Sequence, residues 1–335
     1  MKVNFAMWQK ALNIIPDVSK AEWDQLDLVS RWLISTRAAV LIMTFLSAAL
    51  AGILAFRDHA FHFLPWLALT LGLVFAHASN NIFNDFTDFV RGVDKDNYFR
   101  TIYGAQPIAS GLMTKRQHLT YFAVTALLAL LAGIYLLEIN GWDLTIWILL
   151  GLGAFFVLFY TWPLKYIAMG ELAVLIVWGP LMIGGGYYVL AHHWDWNVVI
   201  ASLPYAFGPT TVLFGKHIDK LPQDKAKHIY TVPVIIGEKA ARYTAIAMMA
   251  LQYLTLVYLV ISGYFSPVML IVLLALYNMR IVLPVFLKPK PAERPADYPA
   301  DTWPLWFSAS AFFQNRGYGA LFLLGLILSL VIKAI

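Results

Sequence analysis

The sequence contains no cysteine, which excludes disulfide bridges and thiolate-ligated metals. Charge is scarce: 13% of the 335 residues are Asp, Glu, Lys or Arg, against roughly a quarter in soluble domains. The alternating pattern of a membrane β-barrel is missing, and the apolar runs are about twice as long as its strands. Residues 1–32 are charged throughout and hold no apolar core of a signal peptide. The only biased segment is KPKPAERPADYPADTWP (288–304), which reads as an extended loop.

What the sequence does have is apolar length. It is 60% hydrophobic, with a mean hydropathy of +0.68. Nine runs, near 33–56, 61–83, 118–137, 143–163, 170–191, 197–215, 241–262, 265–287 and 317–335, are long enough to cross about 30 Å of hydrocarbon. The expectation is an all-α integral membrane protein with nine transmembrane helices over residues 33–335. Residues 1–32 precede this domain as a cytoplasmic, interfacial segment. There Trp8, Leu12, Ile15, Trp23, Leu26 and Trp32 suggest one or two helices on the membrane surface, broken near Pro16.

The joints between runs are of two kinds. Those near 57–60, 138–142, 192–196 and 263–266 are short, whereas 84–117, 216–240 and 288–316 are long and charged. Placing the N-terminus and the long joints on one side leaves only Arg57 and Lys333, of 24 Lys and Arg, on the other. The positive-inside rule makes the crowded side the cytoplasm. The net charge of +5 is therefore a topology signal, and its spread over membrane loops gives no support to nucleic-acid binding. The adjacent His192 and His193 fall on the opposite side and read as solvent or interface residues.

Two of the long joints carry clustered carboxylates at the membrane edge, where an unpaired charge costs several kcal/mol. In SNNIFNDFTDFVRGVDKD (79–96), steps of 4, 3 and 4 put His77, Asn81, Asn84 and Asp88 on one helical face. Asp94 falls off that face unless the helix ends at Gly92 and the chain turns back. In FGKHIDKLPQDKAKHIYTVPVIIG (214–237), Asp219 and Asp224 are five apart, and Pro222 between them suggests a break. Lys216, Lys220, Lys225 and Lys227 surround this second pair. Asp and Lys in such loops are commonly just solvated. Carboxylate and amide oxygens on one inward face, however, suit Mg²⁺, which keeps waters and shares substrate phosphates. Lysines nearby suit phosphate oxygens, so the pattern suggests a Mg²⁺–diphosphate site opening into an apolar bundle.

The stretch NDFTDFVRGVD (84–94) resembles the first signature of the UbiA superfamily of intramembrane prenyltransferases. Its N-D-x-x-D-x-x-x-x-x-D form is typical of the 1,4-dihydroxy-2-naphthoate polyprenyltransferases of the menaquinone pathway. YTWPLKYIAMGELAVLIVWGPLMIGGGYYV (160–189) and YGAQPIASGLMTKRQ (103–117) are similar to further segments of that branch, and Thr231 and Gly237 keep a family spacing. The resemblance implies that Mg²⁺ held by both acidic loops binds the diphosphate of a polyprenyl donor and helps it leave, after which an aromatic acceptor captures the allylic cation. It assigns Asn84, Asp85, Asp88, Asp94, Asp219 and Asp224 to the metal, with Asp88, Asp94, Asp219 and Asp224 central to catalysis. Lys165 matches a basic residue near the diphosphate, and Arg91, Lys216, Asn81 and Tyr160 join it as candidate substrate contacts. Tyr160, Trp162, Phe83 and Phe86 are candidates to steady the cation.

The second motif departs from the branch pattern. An Asn pair is replaced by Gly215–Lys216, and the two carboxylates are one residue too far apart. Counted from Asp219 the second ligand falls on Gln223; counted back from Thr231 it falls on Asp224, the preferred choice. The departure leaves other acceptors open, namely a carotenoid, a chlorophyllide, a glycerophosphate lipid or 4-hydroxybenzoate. A non-catalytic prenyl-lipid-binding relative and a cation-coupled transporter are the readings from other classes.

Overall fold

Every regular element of the computed structural model is helical among the described residues, which are 3–93, 104, 106–300 and 302–334. Ile167 and Tyr230 add one isolated parallel bridge. Eight helices are long and apolar enough to cross a membrane: Ala38–Arg57 (α4), Phe63–Val90 (α5), Lys115–Ile139 (α6), Gly170–Ala191 (α8), Trp196–Asp219 (α9), Val232–Ile261 (α11), Pro267–Leu287 (α12) and Phe307–Ile332 within α13. The remaining expected span, Leu144–Phe159 (α7), is apolar but only 16 residues long. At 1.5 Å per residue it covers about 24 Å, short of the hydrocarbon thickness. Among the described residues the structure thus gives eight full-length spans where the sequence suggests nine.

The chain divides into two compact units, Met1–Ala48 with Phe63–Pro163, and Ala49–His62 with Leu164–Ile335. In the first, three short helices, Phe5–Asn13 (α1), Lys20–Gln25 (α2) and Leu28–Ser35 (α3), precede α4. Asp27 ties them together. Its carboxylate accepts from the Trp8 indole at 3.0 Å, the Asn4 amide at 3.0 Å and the Ser30 amide and hydroxyl at 2.9 and 2.6 Å. Burial alone would raise the Asp27 carboxyl, but these donors hold it well below the usual carboxylate range. Trp23, Leu26, Leu33 and Ile34 pack with Ala38, Leu41, Ala78 and Met113 in one apolar core.

The expected start of the first span at 33 is corrected to Ala38. The Thr36 hydroxyl bonds back to the Trp32 and Leu33 carbonyls, and Arg37 takes a left-handed φ of 52° that ends α3. Farther along, α5 runs unbroken through the first acidic motif and packs on α6 and α7.

In the second unit α9 is the hub, packing on α8, α11 and α13. It stops at Asp219, and Leu221–Ala226 (α10) begins a new helix with proline in its first turn. Helix α11 starts at Val232, nine residues before the apolar run at 241. Its opening, VPVII, is apolar with Pro233 in the first turn, and Gly237, Glu238 and Lys239 separate it from the later run. Gly237 interrupts it at φ 80°, ψ 160°, a conformation open essentially to glycine alone. Helix α13 (Phe307–Ala334) likewise starts ten residues before its apolar run.

Candidate active site

The polar stripe on α5 exists as the helical spacing predicts, but its members have different partners. His77 lies 2.8 Å through Nδ1 from the Thr44 hydroxyl on α4. The Asn81 amide donates to the Thr36 carbonyl at 2.8 Å, so both upper residues fasten α5 to the α3–α4 segment. Asp85, fully buried, is ion-paired with Arg37, which the left-handed turn at that residue presents to α5. The Asn84 oxygen is buried and finds no hydrogen-bond donor among the described residues. Asp88, one turn on, is 1% exposed.

Helix α5 ends as the glycine suggests. The Val93 amide donates to the Asp88 carbonyl at 2.9 Å and the Gly92 amide to Phe89 at 3.1 Å, with Gly92 at φ 69°. This is the paired closure of a helix by a left-handed glycine, and it turns the chain away from the axis. Asp94 lies outside the described residues. Arg91 stacks on Trp162 at 4.4 Å. Phe83 stacks on Phe86 and lies 5.0 Å from Phe122, while Phe86 stacks on His118, whose Nε2 is 2.8 Å from the Ile82 carbonyl. Tyr160, half-buried, caps α7.

The two carboxylates of the second motif separate. The break between them falls at Lys220, two residues before Pro222. Asp219 turns to the start of α13, accepting from the Trp306, Phe307 and Ser308 amides at 3.1, 3.0 and 3.0 Å. Asp224 pairs through Oδ1 with the buried Lys220 at 3.0 Å, and its Oδ2 is buried without a hydrogen-bond partner among the described residues. The Gln223 oxygen is in the same state, but it carries no charge. Lys165 is buried in a short 3-10 turn, Leu164–Tyr166, and Lys216 is half-buried on α9.

Four participants escape sequence reasoning. Arg37, His118 and Lys290 meet residues 48, 36 and 71 positions away, with no local periodicity to signal it. The fourth is His217, whose Nδ1 is 2.7 Å from Oε1 of Glu171; the Val232 amide donates to the same oxygen at 3.2 Å. Burial pulls the Lys290 ammonium below its ordinary value, with Asp219 acting in the opposite direction.

The residues in place fit a hard divalent cation. Asn84 Oδ1 and Asp224 Oδ2 are oxygens removed from water with no donor among the described residues, a state that costs about 1–3 kcal/mol each until something satisfies it. Among the described residues no group of three His, Asp or Glu side chains could hold an ion by itself. Within each unit, oxygen donors that few suit a cation such as Mg²⁺ whose shell is completed by water and phosphate.

The UbiA prenyltransferase family model matches residues 40–299. The chain is 24% identical over 301 residues to a 1,4-dihydroxy-2-naphthoate octaprenyltransferase of Bacillus subtilis, covering 88% of this chain and 91% of that one. It is 28% identical over 288 residues to its Escherichia coli namesake, covering 79% and 90%. Among solved structures, a digeranylgeranylglyceryl phosphate synthase shares the fold at a TM-score of 0.56 and 17% identity, covering 93% of this chain and 99% of that one. A UbiA homologue from Archaeoglobus fulgidus, solved with GPP and Mg²⁺, does so at 0.52 and 15%, covering 87% and 99%. With a family match over most of its length, this chain belongs to the UbiA prenyltransferase family.

Proposed function

We propose that this integral membrane prenyltransferase uses Mg²⁺ to transfer a polyprenyl group from its diphosphate to an aromatic quinone precursor resembling 1,4-dihydroxy-2-naphthoate. The observation that carries the reading is the pairing, on one face of α5, of Asp88 with an Asn84 oxygen that is buried and unsatisfied. The naphthoate preference is supported by the Bacillus and Escherichia relatives, which carry that name and cover most of the chain.

In the first unit, Asn84, Asp88 and Asp94 are the proposed metal ligands, with Asp85 held beside them by Arg37. In the second, Asp224 offers its unpaired oxygen, while Lys165 and Lys216 supply positive charge for phosphate. Bound Mg²⁺ would neutralise the charge that builds on the departing diphosphate. The allylic carbon then loses its bond to oxygen as diphosphate departs, the acceptor ring forms the new carbon–carbon bond, and the substituted ring carbon releases its proton, or its carboxylate as carbon dioxide, to restore aromaticity. Tyr160 and the stacked Phe83 and Phe86 offer ring faces to the positive charge, each worth roughly 0.5–2 kcal/mol. Arg91, stacked on Trp162, and Asn81 are the remaining proposed contacts. The distribution of Lys and Arg supports placing the N-terminus and both acidic motifs at the cytoplasmic face.

The test is to incubate membranes containing the protein with a polyprenyl diphosphate, Mg²⁺ and a panel of acceptors. Diphosphate release is expected with the naphthoate, together with a product whose mass is that of the acceptor plus the prenyl chain, less the proton or carbon dioxide lost from the ring. No release with any acceptor would sink the reading, and Asp88→Asn should abolish whatever activity is found.

A further inference from the structure

Asp219 sits in an enclosed setting for a metal ligand. Its side chain is fully buried. Besides the three amides of residues 306–308, it accepts from the Ser308 hydroxyl at 2.8 Å. The Lys290 ammonium stands 3.5 Å from Oδ1 and donates to the Pro304 carbonyl at 2.6 Å. A carboxylate offers about four acceptor sites, and four hydrogen bonds plus an ammonium use them up. The three amides belong to the opening of α13, where helix geometry leaves such donors without an internal partner and the dipole favours negative charge.

One turn earlier on the same face of α9 lies Gly215. A Cβ at this position would come within 2.7 Å of the Phe307 carbonyl carbon and the Ser308 nitrogen, both backbone atoms with nowhere to go. Gly215 is also where the branch pattern carries the first Asn of its pair. A side chain there would lift the start of α13 off α9 and out of reach of Asp219. The departure at Gly215 and the spent carboxylate of Asp219 therefore have one physical cause.

We infer that Asp219 is a positioning residue: with Gly215 it forms the seat for the N-terminus of α13, and Asp224 is the second motif's one carboxylate for Mg²⁺ and diphosphate. Lys290 closes the seat by bridging the Pro304 carbonyl to the same carboxylate. The inference rests on the prenyltransferase reading, since it concerns which residues serve that chemistry. It separates two groups that sequence spacing treats as a pair.

The experiment follows the thermal unfolding of the purified full-length protein, alone and across a Mg²⁺ titration with a non-hydrolysable prenyl diphosphate analogue. Asp219→Asn and Ser308→Ala should each lower the ligand-free Tm by about 2–8 °C. Combined, they should cost less than the sum, because they remove one cap. Half-saturating Mg²⁺ should stay within about twofold of wild type in both, whereas Asp224→Asn should raise it at least about tenfold. A tenfold rise for Asp219→Asn at unchanged ligand-free Tm overturns the inference. Should Asp219→Asn fail to fold, Ser308→Ala decides: a wild-type Tm overturns the seat, and a lowered Tm with wild-type Mg²⁺ response supports it. If the wild type shows no stabilisation by Mg²⁺ and analogue together, the functional reading fails, while the ligand-free Tm values still judge the seat.

Discussion

Glu171 and His217 form a buried pair, 2.7 Å apart, in which one carboxylate oxygen holds both an imidazole on α9 and the first amide of α11. Each side chain is 3% exposed. Glu171 therefore sets the spacing of the two helices that flank the second acidic motif. Glu171→Ala would leave a buried imidazole and a helix-opening amide without their acceptor, at a cost of about 3–5 kcal/mol. Glu171→Gln keeps an acceptor and should cost about 1–2 kcal/mol. Denaturant or thermal unfolding of the two variants checks the order; equal losses would show that the acceptor oxygen is not what matters.

Arg37 and Asp85 should behave as one unit. Asp85 is fully buried, so Arg37→Met removes its ion-pair partner and should destabilise the protein by about 3–5 kcal/mol. Adding Asp85→Asn to that variant should recover much of the loss, because no buried charge then remains. The double-mutant cycle, read by thermal unfolding, checks this. Additive losses would show that the two side chains act independently.

The sequence carried the α5 stripe well, because a 3.6-residue period is a local property. His77, Asn81, Asn84 and Asp88 do share a face, and Gly92 does end the helix. Periodicity says nothing of partners, however. That His77 and Asn81 are spent on Thr44 and Thr36 depends on packing across 33 and 45 residues. The same limit hid the fate of Asp219, whose donors lie 87 to 89 residues downstream. Hydropathy misplaced the starts of α11 and α13 for a different reason. Polar residues interrupt the apolar pattern near each start, Glu238 and Lys239 in α11 and Gln314 to Arg316 in α13, while the opening amides are held by buried carboxylates, Glu171 at Val232 and Asp219 at Trp306 to Ser308.

Asn84 should show opposite effects on stability and metal response. Its oxygen is buried with no donor among the described residues, so replacing the amide with an isosteric apolar side chain removes an unmet polar group. Asn84→Leu should raise the ligand-free stability by about 1 kcal/mol. The same change deletes a proposed Mg²⁺ ligand and should raise the half-saturating Mg²⁺ by about 10- to 100-fold. Unfolding curves with and without Mg²⁺ and a prenyl diphosphate analogue report both quantities. A loss of stability in metal-free protein would show that the oxygen is already satisfied.

Gly237 is held at φ 80°, ψ 160° inside α11, with open space where a Cβ would sit. Any effect of substitution is therefore conformational and not steric crowding. Gly237→Ala should cost about 1–3 kcal/mol by forcing a side chain into a region that L-residues avoid. Thermal unfolding measures it. A neutral outcome would mean that the break in α11 can move to a neighbouring residue.

Asp27 makes acid sensitivity at the N-terminal helices testable. Donors from Trp8, Asn4 and Ser30 favour its charged form in the folded protein, so its pKa lies below that of the unfolded chain, about 3.9. A depressed carboxylate stabilises the fold fully above the unfolded value. That contribution fades as the pH falls through about 4 towards the folded value, because the unfolded chain takes up the proton first. Asp27→Asn keeps a side-chain cap for α3 but has no charge to lose. The wild type should therefore be the more stable of the two near neutrality, and the gap should close as the pH drops below about 4. Parallel unfolding curves of both proteins between about pH 7 and pH 3 measure it. A gap that stays constant across that range would show that the hydrogen bonds act without help from the charge.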